Sequence, residues 1–190
     1  LAATIPTQGT PAVLLDVGAS VECRPAHLLQ FALMGSVYAR VALSVAQPRV
    51  ALLSIGEEET KGNELTREAH RLLKTAPVNF VGNIEARDIY RGAADVIVCD
   101  GFTGNVALKV SEGVIEMVGA VLGGTVPPRL DYSAYGGALL LGVANATVVG
   151  HGRSNARAIT SAVELAEQFA SGGVVQRIAG EMARGVETRN

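Results

Sequence analysis

Short apolar runs alternate along the chain with longer stretches in which apolar residues recur every three or four positions. Residues 12–17 (AVLLDV) predict a buried strand that ends at Asp16 and Gly18. Pro25 can open a helix, with Leu28, Phe31, Ala32, Tyr38 and Ala42 at helical spacing. That segment is apolar nearly all round, so it is expected to be buried on several sides. A second strand is predicted at 49–55 (RVALLSI), closed by Gly56. Asn63 is placed as the cap of a helix whose inner face carries Leu65, Ala69, Leu72, Leu73 and Ala76, and Pro77 stops it. A short strand at 78–81 leads to Gly82 and Asn83, and a helical turn follows around 86–91. Residues 95–99 (DVIVC) show no polar alternation, as expected at the centre of a parallel sheet. Residues 106–122 predict a mostly apolar helix with Lys109, Glu112 and Glu116 on one polar stripe. An irregular join spans 123–133 and contains Pro127 and Pro128, and a buried strand is predicted at 143–149. Asn155 can cap a long helix with Ala158, Ile159, Ala162, Val163, Ala166 and Phe169 inward; a last helical piece covers 174–183, and 187–190 form a frayed tail.

This alternation predicts a three-layer αβα fold with a mainly parallel sheet, as a single α/β domain over residues 1–190. Hydrophobic residues at 48% and charged residues at 18% exclude disorder, collagen and coiled coil. Aromatics are 4%, Trp is absent and the net charge is −2, so no nucleic-acid partner is expected. Cys23 and Cys99 form no CxxC and no zinc spacing, and no secretory signal precedes the first strand. They are expected to be reduced and buried in a cytoplasmic protein. The longest uncharged stretch, 132–150, is interrupted by Gly136, Gly137, Gly142 and Asn145 and is not read as a membrane span.

Open parallel sheets bind ligands beyond the carboxyl ends of their strands. Five strand-to-helix junctions, rich in Gly, Asn and charge, are therefore expected at one edge as a single site. The sharpest is DGFTGN, where Gly101 and Gly104 let the backbone turn and approach a ligand and the helix start offers N–H groups to a phosphate. Thr103 or Asn105 can equally be a simple cap there, and Asp100 would repel an anion unless it binds a proton, a cation or a hydroxyl. HGRSN repeats the arrangement: His151 can be acid, base or anion contact, while Ser154 and Asn155 are read chiefly as caps. GEEETKGN places Lys61, Gly62 and Asn63 at a third helix start, though such charged runs are usually solvated loops. His27 in a helix first turn and His70 on a polar helix face carry no chemical signal. No Walker A pattern, G-x-G-x-x-G or G-x-S-x-G elbow is present. The residues alone give an α/β enzyme with an anion site.

The combined motifs go further. LLDVGAS, LLQFALMGSVYAR, IGEEETKGNELT, NFVGNIEARDI, ADVIVCDGFTGNVALK, YGGALLLGV and HGRSNARAI resemble, in order, the PlsX family of bacterial acyl-ACP:phosphate acyltransferases. The resemblance implies a fold like phosphotransacetylase and isopropylmalate dehydrogenase, of which this chain would be the C-terminal part. It lacks the family's segment upstream of LDVGA and has only residues 123–130 where the family has a helical insertion. The implied reaction forms acyl-phosphate from acyl-acyl-carrier-protein and inorganic phosphate, the first step toward phosphatidic acid, with no cofactor and no metal. A phosphotransacetylase-type reaction on acyl-CoA, or a non-catalytic carrier-binding or dimerisation fragment, are the alternatives. The implied partners are a second copy in a homodimer, the inner membrane surface by peripheral contact, and the membrane glycerol-3-phosphate acyltransferase. The implied catalytic residues are Lys61, Asp100, Asn105 and His151. Gly62, Asn63, Asn83, Gly101, Phe102, Thr103, Gly104, Gly152, Ser154 and Asn155 would line the phosphate and substrate site.

Overall fold

The structure, a computed structural model, describes residues 1–124, 127, 130, 131, 134–152 and 154–187, with backbone only for 184–187. Much of the predicted join at 123–133, the tail at 188–190 and Arg153 lie outside the described residues. The strands are β1 (Ala2–Ile5), β2 (Ala12–Leu15), β3 (Arg49–Leu53), β4 (Asn79–Ile84), β5 (Val96–Val98), β6 (Ala138–Leu140) and β7 (Thr147–Val149). The helices are α1 (Pro25–Ala42), α2 (Glu64–Lys74), α3 (Gly101–Val121), α4 (Ala156–Ser171) and α5 (Val174–Glu187). The strands form one sheet in the order β4-β3-β5-β2-β1-β6-β7.

Successive side chains of a strand point to opposite faces, and the central strands are apolar on both. Val13, Leu15, Val50, Leu52, Val96 and Val98 meet one core with α1, α2, α4 and α5, through residues such as Leu28, Val37, Leu73 and Phe169. Ala12, Leu14, Ala51, Leu53 and Ile97 meet a second, smaller core on the other face, against which Ala107 and Leu108 of α3 pack. The result is three layers. α1 is buried on several sides, as its sequence requires. Its Tyr38 stacks edge-on against Phe169 at 4.7 Å and its hydroxyl meets Thr4 Oγ1 at 2.8 Å. Burial pushes the Tyr38 phenol up to about 12.

Several expectations are corrected. The sheet is mixed: β2–β5, β3–β5 and β3–β4 are parallel, whereas β1–β2, β1–β6 and β6–β7 are antiparallel. β1 has no counterpart in the sequence reading. The strand expected at 143–149 is the short, largely exposed edge strand β7, and β6 lies before it. Gly82 and Asn83 fall inside β4, where the pairing with β3 shifts register, and not in a loop beyond it. α3 starts at Gly101, five residues earlier than expected, with Asp100 as its cap in place of Thr103 or Asn105. Its apolar stripe of Val106, Val110, Val114, Met117 and Val121 is exposed, and Ile159 and Val163 of α4 are exposed rather than inward.

Chain direction also divides the five junctions. β2, β3, β4 and β5 run together, so the segments after them share one edge. β1 reverses against β2, β6 against β1 and β7 against β6, so β7 runs opposite to β2 and its exit points away from that edge.

Candidate functional site

Three helices begin with the same device. Asn63 Oδ1 accepts from the Thr66 amide at 2.9 Å, Asp100 Oδ1 from the Thr103 amide at 2.9 Å, and Asn155 Oδ1 from the Ala158 amide at 2.9 Å. Each satisfies an orphan N–H of a first turn. In α3, Asp100 Oδ2 also accepts from Thr103 Oγ1 at 2.7 Å, Gly101 N–H donates to Ser20 O at 2.8 Å and Gly104 N–H donates to Asp100 O at 3.0 Å. Among the described residues, this leaves Phe102 N–H as the open donor of that turn.

The two glycines of DGFTGN serve packing in this structure. A Cβ at Gly104 would lie 1.9 Å from Asp16 O, and one at Gly101 would lie 2.7 Å from Ser20 O. The first turn of α3 therefore seats directly on the backbone after β2, and the close approach expected for a ligand is made to residues 16–20. Asp16 organises that loop: its carboxylate accepts from the amides of Gly18, Ala19 and Ser20 at 3.1, 3.1 and 2.6 Å and from the Leu1 nitrogen at 2.7 Å. Burial would raise this carboxyl, and the backbone hydrogen bonds from Ala19 and Ser20 act against it by favouring the charged form. Beneath it, burial pushes the Cys99 thiol up, and the nearby Asp100 and Asp16 charges add to the effect, so Cys99 is protonated at neutral pH.

Two clefts flank α3. One, of about 670 Å³, lies between α3 and the exits of β3 and β4 and is lined by Ser54, Gly62, Asn63, Asp100 and Thr103. The Ser54 hydroxyl is buried there without a partner among the described residues. Lys61 itself is exposed on the loop above it. The other, of about 250 Å³, lies between α3, β1 and the turn after β7, and is lined by Asn105, His151 and Ser154. The expected site residues are thus split by the first turns of α3. His151 reaches the second cleft because β7 runs downward, which delivers the β7–α4 turn to the middle of α3 and not to its start.

The second cleft holds a cluster that the sequence reading did not assign. Lys109 Nζ lies 3.1 Å from Glu112 Oε2 and 3.4 Å from His151 Nε2, and His151 Nε2 lies 3.8 Å from Glu112 Oε2. Asn105 sits one helical turn before Lys109, and its Nδ2 donates to Val17 O at 3.0 Å. The signal was present: Lys109 and Glu112 fall on the polar stripe of a helix that begins with DGFTGN. Gly152 is exposed beside this cleft and Phe102 is exposed on α3.

Asn83 is committed elsewhere. Its Oδ1 meets His70 Nδ1 at 2.8 Å and its Nδ2 donates to Glu58 O at 3.0 Å. His70 is buried, in contrast to the polar face expected for it, and stacks edge-on against Phe80 at 5.0 Å. Together they tie the loop carrying Lys61 to α2 and β4.

A family model described as "Fatty acid synthesis protein" matches residues 1–128 and 125–177. A phosphate acyltransferase of Acidobacterium capsulatum is 49% identical over 203 residues, covering 96% of this chain and 60% of the relative. The chain belongs to the fatty acid synthesis protein family. A second family member, the phosphate acyltransferase of Geotalea uraniireducens, is 46% identical and covers 94% of this chain and 58% of its own length. The chain thus spans about three fifths of the length of the curated relatives it matches. A solved phosphotransacetylase, EutD from Staphylococcus aureus, superposes with a TM-score of 0.55 at 16% identity, over 93% of this chain and 53% of that one. At that identity the likeness establishes the α/β fold of this family member. Among the described residues no helix is long and apolar enough to cross a membrane, and no group of three or more His, Cys, Asp or Glu is placed to hold a metal ion.

Proposed function

We propose that this chain carries out acyl transfer from an acyl-acyl-carrier-protein thioester to inorganic phosphate, forming acyl-phosphate on the way to phosphatidic acid. The observation that carries the reading is 49% identity to a phosphate acyltransferase across nearly all of these residues. The cleft beside α3 supports it, since an amide, a cation and an imidazole converge there above an apolar floor. A phosphate oxygen bonds to the thioester carbon, the C–S bond breaks, and the carrier leaves as a thiol. Asn105 polarises the carbonyl as its oxygen becomes negative, and Lys109 offsets the charge. His151 takes the phosphate proton and passes it to the leaving sulfur. Lys61, on the loop above the cleft on the other side of α3, contributes only a more distant positive charge near the start of that helix, and Asp100 acts by fixing that start. No covalent intermediate is needed, because holding the two reactants together supplies much of the rate. The same reading includes a homodimer in the cytoplasm and peripheral contact with a membrane surface; the apolar stripe on α3 supports a covered face.

The test is acyl-phosphate formation from palmitoyl-acyl-carrier-protein and phosphate. Asn105→Ala is expected to lower the rate by about 10²-fold with folding intact. Lys61→Ala, across the first turn of α3, is expected to lower it by a smaller factor. Full activity in either variant removes that residue from the mechanism. A higher rate with palmitoyl-CoA than with the carrier-bound substrate would favour a phosphotransacetylase-type enzyme.

A further inference from the structure

The cleft beside α3 does not end at His151. It shares Pro6, Tyr90, Ser111, Ile115 and Leu130 with an adjoining cavity of about 340 Å³, so the two form one groove under the helix. β1 runs down the sheet as α3 runs down beside it, and the groove follows both. Its upper end holds Asn105, Lys109 and His151. Its lower part is walled mainly by Ile5, Pro6, Leu108, Val114 and Ile115, and its polar side chains are Thr7, Gln8 and the mutually hydrogen-bonded Tyr90 and Ser111. From Asn105 to Ile115 a helix rises by roughly 15 Å. A bilayer core of about 30 Å is filled by two opposed acyl chains, so one such chain is also roughly 15 Å long.

We propose that this groove holds the hydrocarbon chain of the fatty acyl group, with the thioester at Asn105 and His151 and the chain end near Val114. The proposal rests on the acyltransferase reading and gives it a direction. A largely apolar, preformed cavity takes an apolar ligand at little desolvation cost, and the Tyr90 and Ser111 hydroxyls already satisfy one another. A rival cavity of about 450 Å³ lies between α1, the β6–β7 hairpin and α5, lined by Met34, Phe169 and Met182. Its polar side chains are Gln30 and Asn145, and it brings no cation or imidazole to a thioester. The groove under α3 joins an apolar channel to a reactive end, and the rival does not.

The experiment is photolabelling of the unmodified protein with a palmitic acid analogue bearing a terminal diazirine, followed by peptide mapping, with palmitate as competitor. Insertion at residues 5–8 or 110–115, suppressed by palmitate, is expected. Insertion around Met34 or Met182, or labelling that palmitate does not suppress, overturns the proposal. In the acyl-phosphate assay, Ile115→Trp is expected to reduce the palmitoyl rate at least tenfold relative to the octanoyl rate. Equal effects at both chain lengths count against the groove. Labelling in the groove by a protein that makes no acyl-phosphate would refute the transfer reaction and leave the chain site standing. Acyl-phosphate formation with label elsewhere would do the reverse.

Discussion

Gly104→Ala separates two uses of a glycine in DGFTGN. On an ordinary helix the change stabilises by about 1 kcal/mol, because Ala loses less backbone freedom than Gly. Here the new Cβ would sit 1.9 Å from Asp16 O, 2.8 Å from Cys99 Sγ and 2.9 Å from Asp16 C. The nearest neighbour is backbone and cannot rotate away. The first turn of α3 must lift until that distance approaches the 3.4 Å of ordinary contact. Lifting breaks the Gly101 N–H to Ser20 O hydrogen bond and the Asn105 contact to Val17 O. Overpacking of this kind costs about 1–3 kcal/mol, and each hydrogen bond lost adds about 1 kcal/mol. The propensity gain offsets only part of this, so a net loss of about 2–4 kcal/mol is expected. Gly113→Ala is the control, since its Cβ would meet nothing within 4 Å on the same helix. Urea unfolding followed by circular dichroism gives both midpoints. The expected order is Gly113→Ala above the unmodified protein and Gly104→Ala well below it. If Gly104→Ala matches Gly113→Ala, the packing account of this motif is refuted, and the space beside Gly104 is open to a ligand.

Two further outcomes follow from local chemistry. Asp95 accepts from Arg49 Nη2 at 2.9 Å and Arg49 Nε at 3.0 Å. Burial alone would raise its carboxyl, but the Arg49 hydrogen bonds and charge hold it below its ordinary 3.8. A carboxyl depressed in the folded state stabilises above its unfolded value and loses that contribution as pH falls through the folded one. Asp95→Asn should therefore lower the thermal midpoint at pH 7 and flatten its decline below pH 3.8, and an unchanged slope would contradict the pairing. Asn155→Ala should cost about 1 kcal/mol and speed amide exchange in the first turn of α4, and unaltered exchange there would count against the cap.

The sequence made the helix starts legible where a side chain caps its own turn. Asn63 and Asn155 do so within three residues, so local spacing suffices. The apolar runs of β2, β3 and β5 were legible for the same reason. What escaped depends on partners far along the chain. Gly104 has no side chain to show whether ligand or backbone lies against it, and only Asp16, distant in sequence, decides. His70 reads as one polar residue on a polar helix face, and it is buried because Asn83 and Phe80 meet it across β4. Strand direction leaves no mark in a short apolar run, so the reversal of β7, which moves His151 from the shared edge to the flank of α3, was hidden. Lys109 and Glu112 were visible as a stripe but acquire meaning only once that turn is placed against them.

β1 is the seam of the sheet. It joins β2 through a tight connection and β6 from a distant part of the chain. Pairing of neighbours in sequence closes a small loop, whereas pairing of β1 with β6 must close one that spans most of the molecule. Assembly should therefore proceed in two stages: the β1–β5 unit with α1–α3 forms first, and β6, β7, α4 and α5 dock afterwards as a second unit. The His151 wall of the groove arrives with that second unit. The cleft beside α3 is then the last part of the protein to be completed, and an incompletely folded chain would have Asn105 in place with nothing opposite it.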